Sequence, residues 1–260
     1  MLVNDPRDSI RAVELEEFVA TDFATEEPVG APTTTGAYPI IKRTVDFVVA
    51  LSALLVLSPL MVLIAVAVLL DSSGPILFLQ DRVGQHGRRF SMLKFRSMRA
   101  ERRILKVDLP PGWPERRRLH KSMRDPRVTR VGRLLRRTCL DELPQLLNVL
   151  RGEMSLVGPR PELPSIVERY EPWQHERHAV KPGITGWWQV NRGADRLMHE
   201  STELDIYYVR HCSLWLDLRI LAMTLLRVVR RDNVAVDTQA VETALDEERQ
   251  PPTLSPGPAS

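Results

Sequence analysis

The segment FVVALSALLVLSPLMVLIAVAVLL, Phe47 to Leu70, runs for 24 residues without a charge. At about 1.5 Å of rise per residue this is roughly 36 Å of helix, longer than the hydrocarbon core of a bilayer requires. It starts far from the N-terminus and is followed by Asp71, not a small-residue cleavage site, which argues against a signal peptide and for a helix embedded in a membrane. Near its middle stands Ser58-Pro59. Proline lacks an N–H and crowds the carbonyl four residues back, that of Leu55, while the Ser58 hydroxyl can bond a carbonyl of the preceding turn. A break is expected there. Lys42 and Arg43 precede the segment and Arg82, Arg88, Arg89, Lys94 and Arg96 follow it, so both flanks carry the positive bias of cytoplasmic segments. A helix with both ends on one side must turn back inside the bilayer. A spanning helix with an incidental proline kink is the competing reading, and charge alone does not separate the two.

Outward from this segment, charge and apolar residues are segregated. The 260 residues are 43% hydrophobic and 27% charged with a net charge of +3, enough for one domain of ordinary size with tails. The first 46 residues hold nine acids and four bases, so the basic excess lies downstream. Residues 1–38 lack sustained apolar periodicity and are expected to form a disordered acidic tail. Residues 39–72 hold the membrane helix, 73–232 a cytoplasmic domain with interfacial helices, and 233–260, ending RQPPTLSPGPAS, a second disordered tail. Two cysteines, Cys139 and Cys212, point to reduced thiols, not a disulfide framework. Cys139 has no partnered histidine and reads as a packing residue.

PILFLQDRVGQHGRRFSMLKFR, residues 75–96, predicts a small β-hairpin around the turn VGQHGRR. Lys94 and Arg96 then alternate with Phe95 and share a face that a phosphate could use. Residues 213–232 place Leu214, Leu218, Leu221, Leu225 and Val228 at helical spacing, interrupted by Asp217 and Arg219. With Trp215 and the terminal Arg227, Arg230 and Arg231, this suits an amphipathic helix on a membrane surface, or else a core helix of the domain. The fold class is α+β and predominantly helical.

Between Arg116 and Arg137 stand ten Lys or Arg and one acid, Asp125. Seven bases recur every third residue, Arg118, Lys121, Arg124, Arg127, Arg130, Arg133 and Arg136, a surface for a polyanion. Nucleic-acid readers of the common kinds also show aromatic stacking runs, zinc spacing or a helix-turn-helix pattern, and none is found here. Anionic lipid and a diphosphate substrate remain. The ladder runs into TCLDELPQL, residues 138–146, where Pro144 suits the first turn of a helix and places Asp141 and Glu142 at its N-terminus. There the carboxylates stay ionised and can hold a divalent cation or act as nucleophile, although a plain N-cap role for Asp141 is a common alternative. In RGEMSLVGPRPELP, residues 151–164, Arg160 stands between two prolines that restrict its backbone, which suits phosphate recognition. His175 and His178 lack zinc-site spacing, and no Walker loop or GxGxxG occurs.

Taken together, KRTVD, the Ser58-Pro59 break, QDRVGQHGRRFSMLKFRSM, VGRLLRRTCLDELPQLLNVLRGEMSLVGPRPE, KPGITGWWQVN and LDIYYVRHCSLWLDLRIL resemble the bacterial sugar transferases, the small monotopic polyprenyl-phosphate glycosyl-1-phosphate transferases. The likeness runs from Lys42 to Leu226. It implies transfer of a sugar 1-phosphate, glucose or galactose, from a UDP-sugar to undecaprenyl phosphate with release of UMP. It implies Asp141 as nucleophile, Glu142 as its partner in holding Mg²⁺, Arg136 and Arg160 as phosphate-gripping residues, and Lys94 and Asp205 as further functional positions. It favours the re-entrant reading of α-helical residues around Ser58-Pro59, with catalysis on the cytoplasmic face of the bacterial inner membrane, among membrane lipid and without nucleic acid. Whether the chain forms a homodimer is left open. The stretch NRGADRLMHEST, residues 191–202, departs from the family's usual loop, which bears on the choice of sugar. The alternative from another class is a membrane-tethered adaptor that binds anionic lipid or nucleic acid without chemistry.

Overall fold

The computed structural model describes residues 36–99, 127–191 and 202–230. Residues 1–35 of the first expected tail, all of the second, the ladder residues Arg118, Lys121 and Arg124, most of the 191–202 loop and Arg231 lie outside the described residues; Tyr38, placed in the tail, instead opens a helix.

The apolar segment forms helix α1, Tyr38–Asp71, 34 residues that are long and apolar enough to cross a membrane by length and composition. The expected helix-break-helix is corrected in one respect: Pro59 lies inside a continuous helix with no non-helical residue. The local chemistry gives the reason. Pro59 has no N–H for the Leu55 carbonyl, and the Ser58 hydroxyl donates to that same carbonyl at 2.8 Å.

One stripe of α1, Asp46, Ala50, Ile64 and Val68, is buried against the rest of the chain, while Leu55, Val56, Val62, Leu63 and Leu70 are exposed. Both ends are tied to one domain. At the start, Lys42 pairs with Asp217 at 2.7 Å, Arg43 donates to the carbonyls of Val149 and Leu150 at 2.6 and 2.9 Å, and Asp46 accepts the Leu156 N–H at 3.0 Å. At the finish, Asp71 accepts the Val131 N–H at 2.8 Å, and Arg96 donates to the Ser72 carbonyl at 2.6 Å. The polar residues of KRTVD thus dock the helix; Lys42 and Arg43 are more than flanking charges.

The hairpin forms as expected: β1, Leu77–Val83, pairs antiparallel with β2, Arg89–Phe95, in the register Phe78↔Lys94, Gln80↔Met92 and Arg82↔Phe90. Directly paired residues share a face, so Arg82 and Lys94 emerge on the same side of the sheet. On the opposite face Phe95 packs with Ile64, Val68 and Leu135. Helix α2, Arg130–Thr138, follows; its N-cap Thr129 accepts the Gly132 N–H at 2.9 Å. Helix α3, Gln145–Arg151, is locked to β2 by the fully buried Asn148, whose side chain accepts the Leu93 N–H at 3.0 Å and donates to the Ser91 carbonyl at 2.9 Å.

A second sheet, absent from the sequence reading, pairs β3, Ser155–Val157, with β4, Gly183–Thr185, in parallel. Between them lie the short helix α4, Pro164–Val167, and a 3₁₀ segment, Pro172–Ala179. Helices α5, Trp187–Asn191, α6, Thr202–His211, and α7, Leu214–Arg230, complete the fold. The larger core gathers Val149, Met154, Val157, Trp187, Tyr208 and Ile220. In α7, Asp217 is an anchor and no mere interruption: it also accepts from Tyr208 at 2.6 Å. Leu214, Trp215, Leu218, Leu225 and Leu226 of that helix are exposed. Of the expected apolar face, Leu214, Leu218 and Leu225 point outward, whereas Leu221 packs against the core that holds Ile220.

Gly132 marks a close crossing. A Cβ there would stand 2.1 Å from the Ser97 carbonyl oxygen, a backbone atom that cannot swing aside. Gly132→Ala is expected to destabilise the domain by roughly 1–3 kcal/mol or more, the cost of overpacking a fixed contact. A thermal unfolding midpoint in detergent that matches wild type would contradict this crossing.

Candidate active site

Helix α2 ends at Cys139, which takes the left-handed conformation at φ 57° and returns its N–H to the last turn. Cys139 is exposed, so its place is conformational and not the packing position expected. The chain then makes a 3₁₀ turn, Leu140–Glu142, before Pro144 caps α3. This corrects the helix-N-terminus reading of the acid pair. Pro144 is compatible with a helix start, but the i→i+3 bond from the Glu142 N–H to the Cys139 carbonyl, at 3.1 Å, closes a separate turn first.

Side-chain cations, not a helix dipole, therefore accompany Glu142. Glu142 accepts from Lys94 Nζ at 2.6 Å, and Arg160 Nη2 lies 3.7 Å from the same carboxylate oxygen. Lys94 is buried, and Glu142, Asp141 and Arg160 remain partly exposed. Arg82, Lys94, Glu142, Gln145 and Arg160 line one cleft, together with Met92, Pro161, Gly183 and Ile184. Arg136 sits in the last turn of α2, its Nε donating to the Ser97 hydroxyl at 2.9 Å. Arg96 goes elsewhere. Its guanidinium donates to the Ser72 and Val68 carbonyls at the end of α1, so the face-sharing expected of Lys94 and Arg96 gives way to a helix-end contact.

Asp205 is also placed behind the cleft instead of in it. It is 2% exposed and ion-paired with Arg177, itself 2% exposed. Burial pushes the Asp205 carboxyl up to about 6, against the pull of Arg177. Arg177 is held above its ordinary value, despite burial that opposes its charge, by Asp205, Tyr170 and Glu162. The same guanidinium donates to the Tyr170 hydroxyl, lies 3.9 Å from Glu162, and donates to the Arg160 carbonyl at 2.8 Å. The Arg160 backbone N–H faces Asp205. Arg160 is thus pinned through its main chain by a buried ion pair, while its guanidinium reaches Glu142 in the cleft.

Gly158 and Gly183 permit this packing. A Cβ on Gly158 would lie 2.3 Å from the Lys181 carbonyl oxygen, and one on Gly183 would lie 2.1 Å from the Gly158 nitrogen. Arg82, Gln145, Glu162, Tyr170 and Arg177 were missed by sequence reasoning. For Arg82 a signal existed in the hairpin register, which puts it on the face of Lys94.

The fold and site define a class: a mostly helical domain fastened to both ends of one long apolar helix, with an acid pair whose second member, Glu142, is set against lysine and arginine in a cleft. The chain belongs to the bacterial sugar transferase family, whose profile matches residues 37–231. It is 43% identical over 200 residues to undecaprenyl-phosphate glucose phosphotransferase of Komagataeibacter xylinus, covering 72% of this chain and 36% of that protein. It is 42% identical over 200 residues to UDP-glucose:undecaprenyl-phosphate glucose-1-phosphate transferase of Escherichia coli K12, covering 74% and 41%. Against UDP-N-acetylgalactosamine-undecaprenyl-phosphate N-acetylgalactosaminephosphotransferase of Aeromonas hydrophila it is 39% identical over 213 residues, covering 80% and 48%. The chain thus spans less than half the length of these relatives.

Proposed function

We propose that this chain transfers a sugar 1-phosphate from a UDP-sugar to undecaprenyl phosphate and releases UMP. The observation that carries the reading is the Lys94–Glu142–Arg160 contact beside Asp141, which sets basic groups where a carboxylate must meet an anionic diphosphate. A carboxylate oxygen of Asp141 forms a bond to the sugar-bearing phosphorus while the bond from that phosphorus to the bridging oxygen breaks. The electron pair leaves with UMP. An oxygen of undecaprenyl phosphate then attacks the same phosphorus, which restores the Asp141 carboxylate and yields the lipid diphosphate sugar. Lys94 and Arg160 offset the like-charge repulsion that opposes both attacks. Glu142 holds those two cations at the reacting centre.

Among the described residues no group of three or more His, Cys, Asp or Glu gathers at one point. Asp141 and Glu142 are adjacent, oxygen-donating and partly exposed, which fits Mg²⁺, an ion that takes one or two carboxylates and completes its shell with substrate phosphates and water. Held by these two residues, it would neutralise phosphoryl oxygens.

The membrane arrangement in this reading is monotopic and re-entrant, with α1 bending at Ser58-Pro59 while remaining helical, and with the cleft on the cytoplasmic face of the bacterial inner membrane. Its support is that both ends of α1 are bonded to the same domain, which cannot lie on both sides of a bilayer at once. The outward apolar faces of α1 and α7 supply the lipid contact. Glucose or galactose is the sugar this reading favours, for the first membrane step of exopolysaccharide, capsule or O-antigen synthesis; the relatives named for glucose support it, and the one named for N-acetylgalactosamine marks the other outcome. The test is UMP release by the full chain in detergent with undecaprenyl phosphate and a panel of UDP-sugars. Lipid-dependent release with one or two donors is expected. No release with any donor, while the chain still binds anionic vesicles, would support the adaptor instead.

A further inference from the structure

Gln145 opens α3 and is 2% exposed, and its side-chain nitrogen has no hydrogen-bond partner. Buried polar groups are nearly always satisfied, so an exception in a native chain calls for a physical reason. The surroundings suggest one. Gln145 lines the cleft with Arg82, Lys94, Arg160 and Glu142, three cations against one carboxylate. Glu162, behind the cleft, stands 3.9 Å from Arg82 and is shared with Arg177. Burial, then the neighbouring Arg160 charge, lowers Arg82 to about 10, the direction expected where cations are gathered before their anion arrives.

We propose that Gln145 is a ligand-binding residue whose side-chain amide donates to a phosphoryl oxygen of the diphosphate held in this cleft. A phosphoryl oxygen only accepts, and the amide N–H₂ only donates, so the two are complementary. A neutral donor also suits this position, because a further cation would add to the repulsion already present between Arg82 and Arg160. The inference rests on the proposed function and names how its substrate is gripped.

The experiment uses the full chain in detergent, with titration of pyrophosphate and of UDP, turnover with the accepted UDP-sugar, and thermal unfolding. Gln145→Met keeps volume and flexibility but removes the donor. Replacing an unsatisfied buried polar group by an apolar one of similar shape is neutral or stabilising. Gln145→Met is therefore expected to weaken pyrophosphate and UDP binding by about tenfold while the unfolding midpoint without ligand holds or rises. Gln145→Glu is expected to bind more weakly still, since its carboxylate repels phosphoryl oxygens. Gln145→Asn keeps an amide but withdraws it by one methylene, and is expected to lose affinity in the same direction. Unchanged affinity in all three variants overturns the inference, as does a midpoint that falls in step with affinity, the mark of a structural role. If Gln145→Met turns over like wild type, the inference falls and the proposed function stands. If pyrophosphate binding depends on Gln145 in a chain that releases no UMP, the inference stands and the proposed function falls.

Discussion

Asp141→Asn is expected to lower UMP release by roughly 10⁴-fold or more, the scale seen when a covalent nucleophile is removed, with the fold and membrane association kept. Asn preserves the shape of the side chain and removes only the charge that attacks phosphorus. Asp141 is partly exposed on a 3₁₀ turn, so the substitution leaves no void in either core. Its neighbour should behave differently. Glu142→Gln strips the charge that faces Lys94, whose side chain is 9% exposed, and loosens Arg160 as well. Both stability and activity are then expected to drop, because a buried lysine loses its counter-charge. UMP release, unfolding midpoint and vesicle flotation on the two variants separate chemistry from scaffolding. Turnover above about 1% of wild type in Asp141→Asn would move the nucleophile elsewhere.

The difference between these two acids illustrates which parts of the molecule were readable beforehand. The apolar helix was legible because 24 charge-free residues leave few other fates, and the hairpin because two apolar runs bracket a glycine-containing turn. The acid pair was legible as a pair. Its partners were not: Lys94 lies 48 residues from Glu142 in sequence, and nothing local to either announces the contact. The turn that carries the acids was misread since Pro144 is equally consistent with a helix start and with a cap one residue earlier. The i→i+3 bond from the Glu142 N–H to the Cys139 carbonyl, which closes a separate turn before Pro144, separates the two. Strands β3 and β4 have three residues each, too few for a period of two to register. Arg96 looked like a phosphate ligand because alternation on a strand is a sound rule, but β2 ends at Phe95, and beyond the strand the rule no longer applies.

The buried charges behind the cleft were the least legible of all. In sequence, Arg177 is one basic residue in QHERHA and Asp205 one acid in TELDIYY, and most such residues are solvated. Folding brings them together across 28 positions and adds Glu162 and Tyr170. The result is a polar knot whose reach to Arg160 is through the main chain, at 2.8 Å to its carbonyl. A family likeness implied a functional place for Asp205; the structure ties it through Arg177 to the Arg160 main chain, and a positioning role behind the cleft is what variants of this pair test.

Breaking that knot is the second large effect. Arg177→Met removes the cation between two carboxylates that are both almost fully buried, leaving Asp205 without its ion-pair partner and Glu162 with Arg82 alone at 3.9 Å. Removing one partner of a buried pair costs about 3–5 kcal/mol. At about 2–4 °C per kcal/mol for a domain of this size, the unfolding midpoint should fall by roughly 6–20 °C. Activity should fall too, since the Arg160 carbonyl loses its anchor. A second variant divides the two consequences. Arg177→Met with Asp205→Leu replaces that pair by apolar groups and removes the uncompensated Asp205 charge, leaving only Glu162 with a weakened counter-charge from Arg82. Its midpoint is expected to recover the part of the loss due to Asp205, while KM for the UDP-sugar stays raised, because nothing in the repacked interior holds the Arg160 main chain. If KM returns to the wild-type value along with the midpoint, the buried pair is scaffolding only. If KM stays high although the midpoint rises well above that of Arg177→Met alone, orientation of Arg160 is what the ion pair supplies.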